Sequence, residues 1–272
     1  MRSVNTVTLF FSCLSSLLIS SVLADVPPSA DAADSSTTCK NDTITSSDYD
    51  YDYHDYTDKI LNDFDGPWWK NENMNNVHMW TLLDCSEVIK VQRPIHNESI
   101  WALIRGAYIG VVGPDESYLP MNILGNGFKP GSIEVKQIEE KGRAVYATSL
   151  FKKGEVVWYA DFTACFNDGM SYRKYLASIP ADLACDVMVW AYSGSYGVCV
   201  DLDEGSLINH AASKEANREA WELGDEKPNI IIDEETNLHI ASVDINPGDE
   251  LLMDYLSFDD DESYDLLGLG TW

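Results

Sequence analysis

A chain of 272 residues with 45% hydrophobic and 11% aromatic content has ample material for a packed core, which excludes wholesale disorder. Its 45 acidic residues against 18 basic ones leave a formal net charge of −27. Such a field repels nucleic acid and favours basic partners, including Lys/Arg-rich protein segments.

The chain opens on Arg2, an apolar run from Val7 to Leu23, and the small-residue end Val22-Leu23-Ala24, followed by Pro27 and Pro28. This pattern predicts a signal peptide over residues 1–24, a secretory destination (endomembrane lumen or extracellular), and no membrane attachment after cleavage. An uncleaved anchor is the alternative, disfavoured by the serine content and weak flanks. Cys39, Cys85, Cys165, Cys185 and Cys199 would remain, an odd set in a compartment that permits disulfides. No pair has Cys-x-x-Cys spacing, so no metal site is expected. Asn41-Asp42-Thr43 and Asn97-Glu98-Ser99 fit the glycosylation acceptor pattern, meaningful only on the secretory route.

Residues 25–66 hold eleven aspartates against two lysines and read as an acidic, solvated linker. From Trp68 the composition turns core-forming. A Trp/Gly-rich extension, 67–130, is expected to pack on the following domain, with a helix around 74–90. Residues 99–130, cut by Gly106, Gly110, Gly113-Pro114, Gly125, Gly127 and Pro130, predict short strands and turns. Strands follow at Ile133 onward, Arg143–Thr148 and Glu155–Tyr159, with Lys152-Lys153-Gly154 as a turn. Helices are expected at Ser171–Ile179, stopped by Pro180, and at Asp182–Tyr192. Val198–Leu202, Ile230–Asp233, Leu238–Val243 and Glu250–Met253 read as strands, and residues 259–272 as an acidic tail. Many short strands with small helical inserts predict a mainly β, α+β fold and no doubly wound nucleotide-binding sheet.

Four local patterns occur in order: Lys141-Gly142-Arg143-Ala144 with Lys153-Gly154-Glu155; Ser206-Leu207-Ile208-Asn209-His210; Pro228-Asn229; and Gly248-Asp249-Glu250-Leu251-Leu252-Met253-Asp254-Tyr255. Each alone is an ordinary turn, polar corner or strand. Together, over residues 131–258, they resemble a SET domain. The resemblance implies a β-clip of short curled sheets with a threaded C-terminal segment. It also implies an S-adenosylmethionine-dependent protein-lysine methyltransferase, and a basic protein or peptide is the expected substrate of what is expected to be a monomer.

The resemblance further implies roles. Gly142, Arg143 and Ala144 form the turn that approaches the cofactor. Asn209 and His210 hold it by hydrogen bonds, and Tyr159 lies nearby. Tyr255 is the catalytic hydroxyl, and Trp190 and Tyr196 line the lysine channel. The chain departs from the family pattern at Ala144, where a second glycine belongs, and at Ala211, where a serine follows Asn-His. It also has a charged insert from Ala212 to Lys227 and no zinc-binding cysteine cluster after Tyr255, so adenine stacking would fall to Phe258, Tyr264 or Trp272.

The competing reading is a catalytically inactive, secreted SET-like binding module, favoured by a destination away from the cytosol. A hydrolase reading of Ser193-Gly194-Ser195-Tyr196-Gly197 fails because Ser193 stands where a nucleophile elbow needs glycine.

Overall fold

The computed structural model describes residues 53–120, 122–139, 141–194, 197–211, 227–233, 235–258 and 262–270. The expectations for the signal peptide, Cys39, Asn41, Tyr196, residues 212–226 of the insert and Trp272 lie outside the described residues.

Helix α1, Tyr53–Asn62, occupies the end of the stretch read as linker. Thr57 is buried there, and Ile60 and Leu61 pack against the core. Anchorage by these apolar groups overrides the local acidity. Helices α2 (Asn76–Leu82) and α3 (Cys85–Val88) fall in the region expected to be helical. A capping box between Asn75 and His78 starts α2, satisfying backbone donors that the first turn leaves open.

The strands and turns expected over 99–130 are corrected in their first half by α4, Glu98–Val112. Asn97 caps it, accepting from the N–H groups of Ser99 and Ile100 at 3.0 and 3.2 Å. Trp101, Ile104, Arg105 and Tyr108 repeat at helical spacing and are buried, while Gly106 and Gly110 sit on the exposed side. Each helical glycine costs about 1 kcal/mol, and the buried face outweighs that.

The hairpin β1 (Ile133–Ile138) and β2 (Gly142–Ala147) pairs antiparallel with Ile138 opposite Gly142. Next come β3 (Val156–Trp158), β4 (Thr163–Phe166), α5 (Gly169–Ser178) and α6 (Ala181–Trp190). Beyond them lie β5 (Tyr192–Gly194), β6 (Gly197–Asp201), β7 (Asn209–His210), β8 (Ile230–Ile232), β9 (His239–Ala241), β10 (Leu252–Met253) and α7 (Glu262–Leu266). Two three-stranded antiparallel sheets, β3-β9-β8 and β4-β6-β5, accompany the β1-β2 hairpin and a parallel pair, β10-β7. The fold is α+β, but the expectation that strand dominates is corrected. Fifteen-residue α4 and three ten-residue helices outweigh strands of two to six residues.

Disulfides join Cys85 to Cys185 and Cys165 to Cys199. The first ties α3 to α6, and the second crosses between paired strands β4 and β6. The C-terminal stretch read as a tail packs inward: Tyr264 and Leu269 are buried, and Asn76 donates from its backbone to Leu269 O at 2.7 Å.

Candidate active site

Gly142 opens β2 at φ +77°, a left-handed conformation that costs a side-chain-bearing residue about 1–2 kcal/mol. A methyl group built on it would meet nothing within 4 Å, so this turn faces open space. Ala144 is fully buried, paired with Lys136 of β1. On its other edge β2 meets the segment after the Asn246-Pro247-Gly248 turn: Leu251 N–H donates to Val145 O at 2.8 Å.

That segment feeds β10, whose Leu252 and Met253 pair with Asn209 and His210 of β7. Asn229 clamps the pair, donating from Nδ2 to Glu250 O at 2.7 Å and accepting from Leu252 N–H at 2.9 Å. The Pro228-Asn229 pattern is therefore structural support for the strand that delivers Tyr255.

The three distant stretches converge. Asn209 Nδ2 reaches Arg143 O at 3.3 Å and Glu250 Oε1 at 2.8 Å. Tyr255 N–H donates to His210 Nδ1 at 3.1 Å, so in the neutral ring the proton sits on Nε2. The Tyr255 hydroxyl donates to Ile208 O, in the residue before Asn209. The Tyr255 and His210 rings lie 5.3 Å apart. Burial, with the nearby charge of Asp201, pushes the Tyr255 phenol above its ordinary pKa, so it stays neutral in solution near neutrality.

Phe258 lies 5.6 Å from the Tyr255 ring and 5.3 Å from that of Tyr192, making an aromatic wall. Behind it Tyr192 OH meets Asp201 Oδ1 at 3.3 Å, and Thr163 Oγ1 donates to the same oxygen at 2.5 Å. Burial raises the Asp201 carboxyl to about 7, against the hydrogen bond from Thr163. Asp203 is likewise raised by burial, to about 6, although it accepts from Gly127 N–H at 2.8 Å, Trp158 Nε1 at 3.1 Å and Gly205 N–H at 2.8 Å.

The other expected residues have distinct surroundings. Tyr159 is 47% exposed and lines a cavity of about 560 Å³ with Asn126, Gly127, Phe128, Lys129 and Asp161. Its N–H donates to Gly127 O at 2.9 Å, an approach so close that a side chain at Gly127 would collide with the Tyr159 carbonyl. Trp190 packs on Trp101 and His96, with the Arg143 guanidinium 5.0 Å over its ring. Tyr264 is 2% exposed and serves the core, which removes it as an adenine platform.

Sequence reasoning missed the surroundings of Asp186. This buried carboxylate accepts from Arg93 (Nε–Oδ1 3.1 Å, Nη2–Oδ2 3.1 Å), from Arg143 (Nη2–Oδ1 2.9 Å, Nη1–Oδ2 3.3 Å) and pairs with His96 Nε2 at 2.8 Å. Burial pushes Asp186 up, but the hydrogen bonds from His96, Arg93 and Arg143 outweigh it and hold the carboxyl well below the ordinary range. The available signal was a second aspartate, one turn after Asp182, in the middle of the mostly apolar helix Ala181–Trp190. Tyr192 and Asp201 were missed because nothing local marks a strand residue as facing a site.

Residues 142–256 match the model of the SET domain family. That stretch of the chain is similar to a SET domain. Its boundaries enclose the Gly142 turn, Asn209-His210 and Tyr255, the stretches that converge. Curated relatives include N-lysine methyltransferase KMT5A-A of Danio rerio, 33% identical over 140 residues, 49% of this chain and 37% of the relative. The protein of the same name from Xenopus laevis is 30% identical over 134 residues, 47% of this chain and 37% of the relative. The chain thus aligns with little more than a third of the length of these relatives. A solved structure described as CpSET8 from Cryptosporidium aligns with TM-score 0.31 and 19% identity, covering 75% of this chain and 96% of that one. The SET domain match begins at Gly142, so Arg93, His96 and the whole of α4 lie before it.

Proposed function

We propose that this protein is a protein-lysine N-methyltransferase that uses S-adenosylmethionine and acts on basic proteins of the secretory pathway. The observation that carries the reading is the joining of the Gly142–Ala144 turn, the Asn209-His210 pair and Tyr255 by direct hydrogen bonds.

The residues fit the cofactor. Open space beside Gly142 gives a backbone edge that can be approached closely. Asn209 and His210 supply an amide and an imidazole at that edge, and the Glu250 carboxylate lies within reach of the same amide. The Gly142–Ala144 backbone, Asn209 and His210 would hold the cofactor, with the Phe258 ring 5.6 Å from that of Tyr255. When bound, S-adenosylmethionine supplies a methyl group on a sulfonium, open to in-line attack by a neutral amine.

Tyr255 carries the positioning. Its O–H is committed to Ile208 O, which leaves the phenol oxygen lone pairs to accept from the N–H groups of a lysine amine. Held neutral, it orients the nucleophile without trapping it as a salt-bridged ammonium. Tyr192 and Phe258 supply apolar walls that strip water from the amine, which favours its unprotonated form. The net charge of −27 steers basic substrates toward the protein.

The secretory setting is supported by the amino-terminal apolar run and by two disulfides, which persist in oxidising compartments. Calorimetry with S-adenosylmethionine and methyl transfer to a lysine-rich peptide test the reading. Tyr255→Phe is expected to lower the turnover rate by about 10²- to 10⁴-fold, with cofactor affinity retained. Absence of cofactor binding by the wild-type protein would replace this reading with that of a non-catalytic binding module.

A further inference from the structure

We infer that Asp186, together with Arg93 and His96, positions the cofactor turn, so that residues preceding the SET domain match complete its site. The inference rests on the reading above for what the turn binds, but the positioning itself can be measured without ligand.

Arg143 is the link. Its backbone carbonyl accepts from Asn209 Nδ2, while its guanidinium reaches the opposite way. There it forms a bidentate pair with Asp186, donates to Pro94 O at 3.2 Å, approaches His96 Nε2 at 3.2 Å and lies over Trp190. The Arg143 side chain is 8% exposed, and those of Asp186 and His96 are each 3% exposed. A group held this way has few alternative rotamers, so its peptide is fixed against Asn209 as well.

The sequence spacing in α6 makes this arrangement possible. Asp182, Asp186 and Trp190 recur every four residues and therefore stand on one helix face. Arg93 spans the first two, donating to Asp182 O at 3.0 Å and to both oxygens of Asp186. Arg143 spans the last two. The result is a ladder in which cations and their acceptors alternate. Without Arg93, Asp186 loses one bidentate partner and its grip on Arg143 becomes the sole guanidinium contact. Without Asp186, two guanidinium groups would face each other with no carboxylate between them, a strongly unfavourable arrangement away from water.

The extension is also covalently fixed at this place. Cys185, next to Asp186, is bonded to Cys85, eight positions before Arg93. The chain between them is thereby confined near α6, and Arg93 and His96 are delivered to Asp186 at little further entropic cost.

These are positioning residues, since none of them is placed against the reacting atoms. The test compares wild type with Arg93→Ala, Arg93→Lys and Asp186→Asn. Backbone hydrogen exchange at residues 142–145 is measured without ligand, and S-adenosylmethionine affinity by calorimetry. Arg93→Ala is expected to speed exchange at 142–145 selectively and, by loosening Asp186 and with it Arg143, to weaken cofactor binding about tenfold. The cofactor KM should rise with it while the peptide KM holds. Arg93→Lys should recover only part of the loss, because an ammonium cannot form the forked pair. If Asp186→Asn fails to fold, Arg93→Ala decides the matter, being at the accessible rim of the cluster. Unchanged exchange at 142–145 in folded Arg93→Ala overturns the inference. Altered exchange in a protein whose wild type does not bind the cofactor overturns the functional reading and leaves the positioning intact.

Discussion

Two aspartates, Asp186 and Asp201, are withdrawn from bulk water in this protein and respond in opposite directions. Asp186 in α6 sits among two guanidinium groups and an imidazole and is held ionised far below the ordinary range. Asp201 at the end of β6 is met by hydroxyls of Thr163 and Tyr192 and is lifted to about 7. Desolvation is the largest contribution in both cases and raises both carboxyls. The partners decide the outcome: charged donors repay the loss of hydration, whereas neutral hydroxyls do so only in part. The first region is a rigid clamp at the edge of the domain. The second is a desolvated cluster near Tyr255, in which the carboxyl keeps its proton.

The largest expected effect comes from breaking the clamp. Asp186→Asn should cost about 3–5 kcal/mol in a urea titration at neutral pH, since it strands the buried Arg143 guanidinium and leaves Arg93 only Asp182. The cost should shrink as the wild-type carboxyl is itself protonated in strong acid. The sign follows from linkage: a carboxyl depressed in the folded state contributes stability that is present above the unfolded value near 3.8 and is lost as pH falls toward the folded value.

Next is the covalent tether. Replacing Cys85 and Cys185 together by serine should lower stability by about 4 kcal/mol, because the loop they close spans 100 residues. Calorimetric melting reads this directly. The Cys165→Ser/Cys199→Ser double variant should cost less, since its loop spans 34 residues.

The smallest effect sharpens the contrast by reversing its sign. A carboxyl raised in the folded state binds its proton more tightly there than in the unfolded chain. Asp201 therefore makes the protein lose stability as pH rises from about 4 through about 7. Asp201→Asn should flatten that portion of the profile and raise the denaturation midpoint at pH 8 relative to pH 5. A midpoint that changes equally at both values would mean that Asp201 is ionised in the folded protein throughout, and the contrast with Asp186 would vanish.

The order of the four motifs, and with it the identity of the turn, the Asn209-His210 pair and Tyr255, was legible in the sequence because each motif is local and its spacing survives an intervening insert. Strands β1, β2, β6, β8 and β9 were legible for a similar reason: runs of β-branched residues ended by glycine, proline or polar turns. Helix α4 was hidden because Gly106 and Gly110 lower its local preference, and only burial of Trp101, Ile104, Arg105 and Tyr108 against the rest of the chain stabilises it. Tyr159 carries a suitable hydroxyl, but its cavity neighbours Asn126–Lys129 come from a stretch about thirty positions earlier that no local pattern points to. Trp190 was marked by size and helical position, but its partners, His96 and Arg143, are about 47 to 94 positions away and no spacing rule reaches them.

The sequence by itself determined the acidity, the local motifs and the residue types available for holding a cofactor and orienting an amine. Only the tertiary structure decided which aspartate is a clamp and which is a proton-holding group, which cysteines are bonded, and that Arg143 serves Asn209 with its carbonyl and Asp186 with its side chain. The physical reason is that protonation, pairing and orientation depend on distances of a few ångströms between groups remote along the chain, and those distances exist only once α6, β2 and the segment from Cys85 to His96 have packed together.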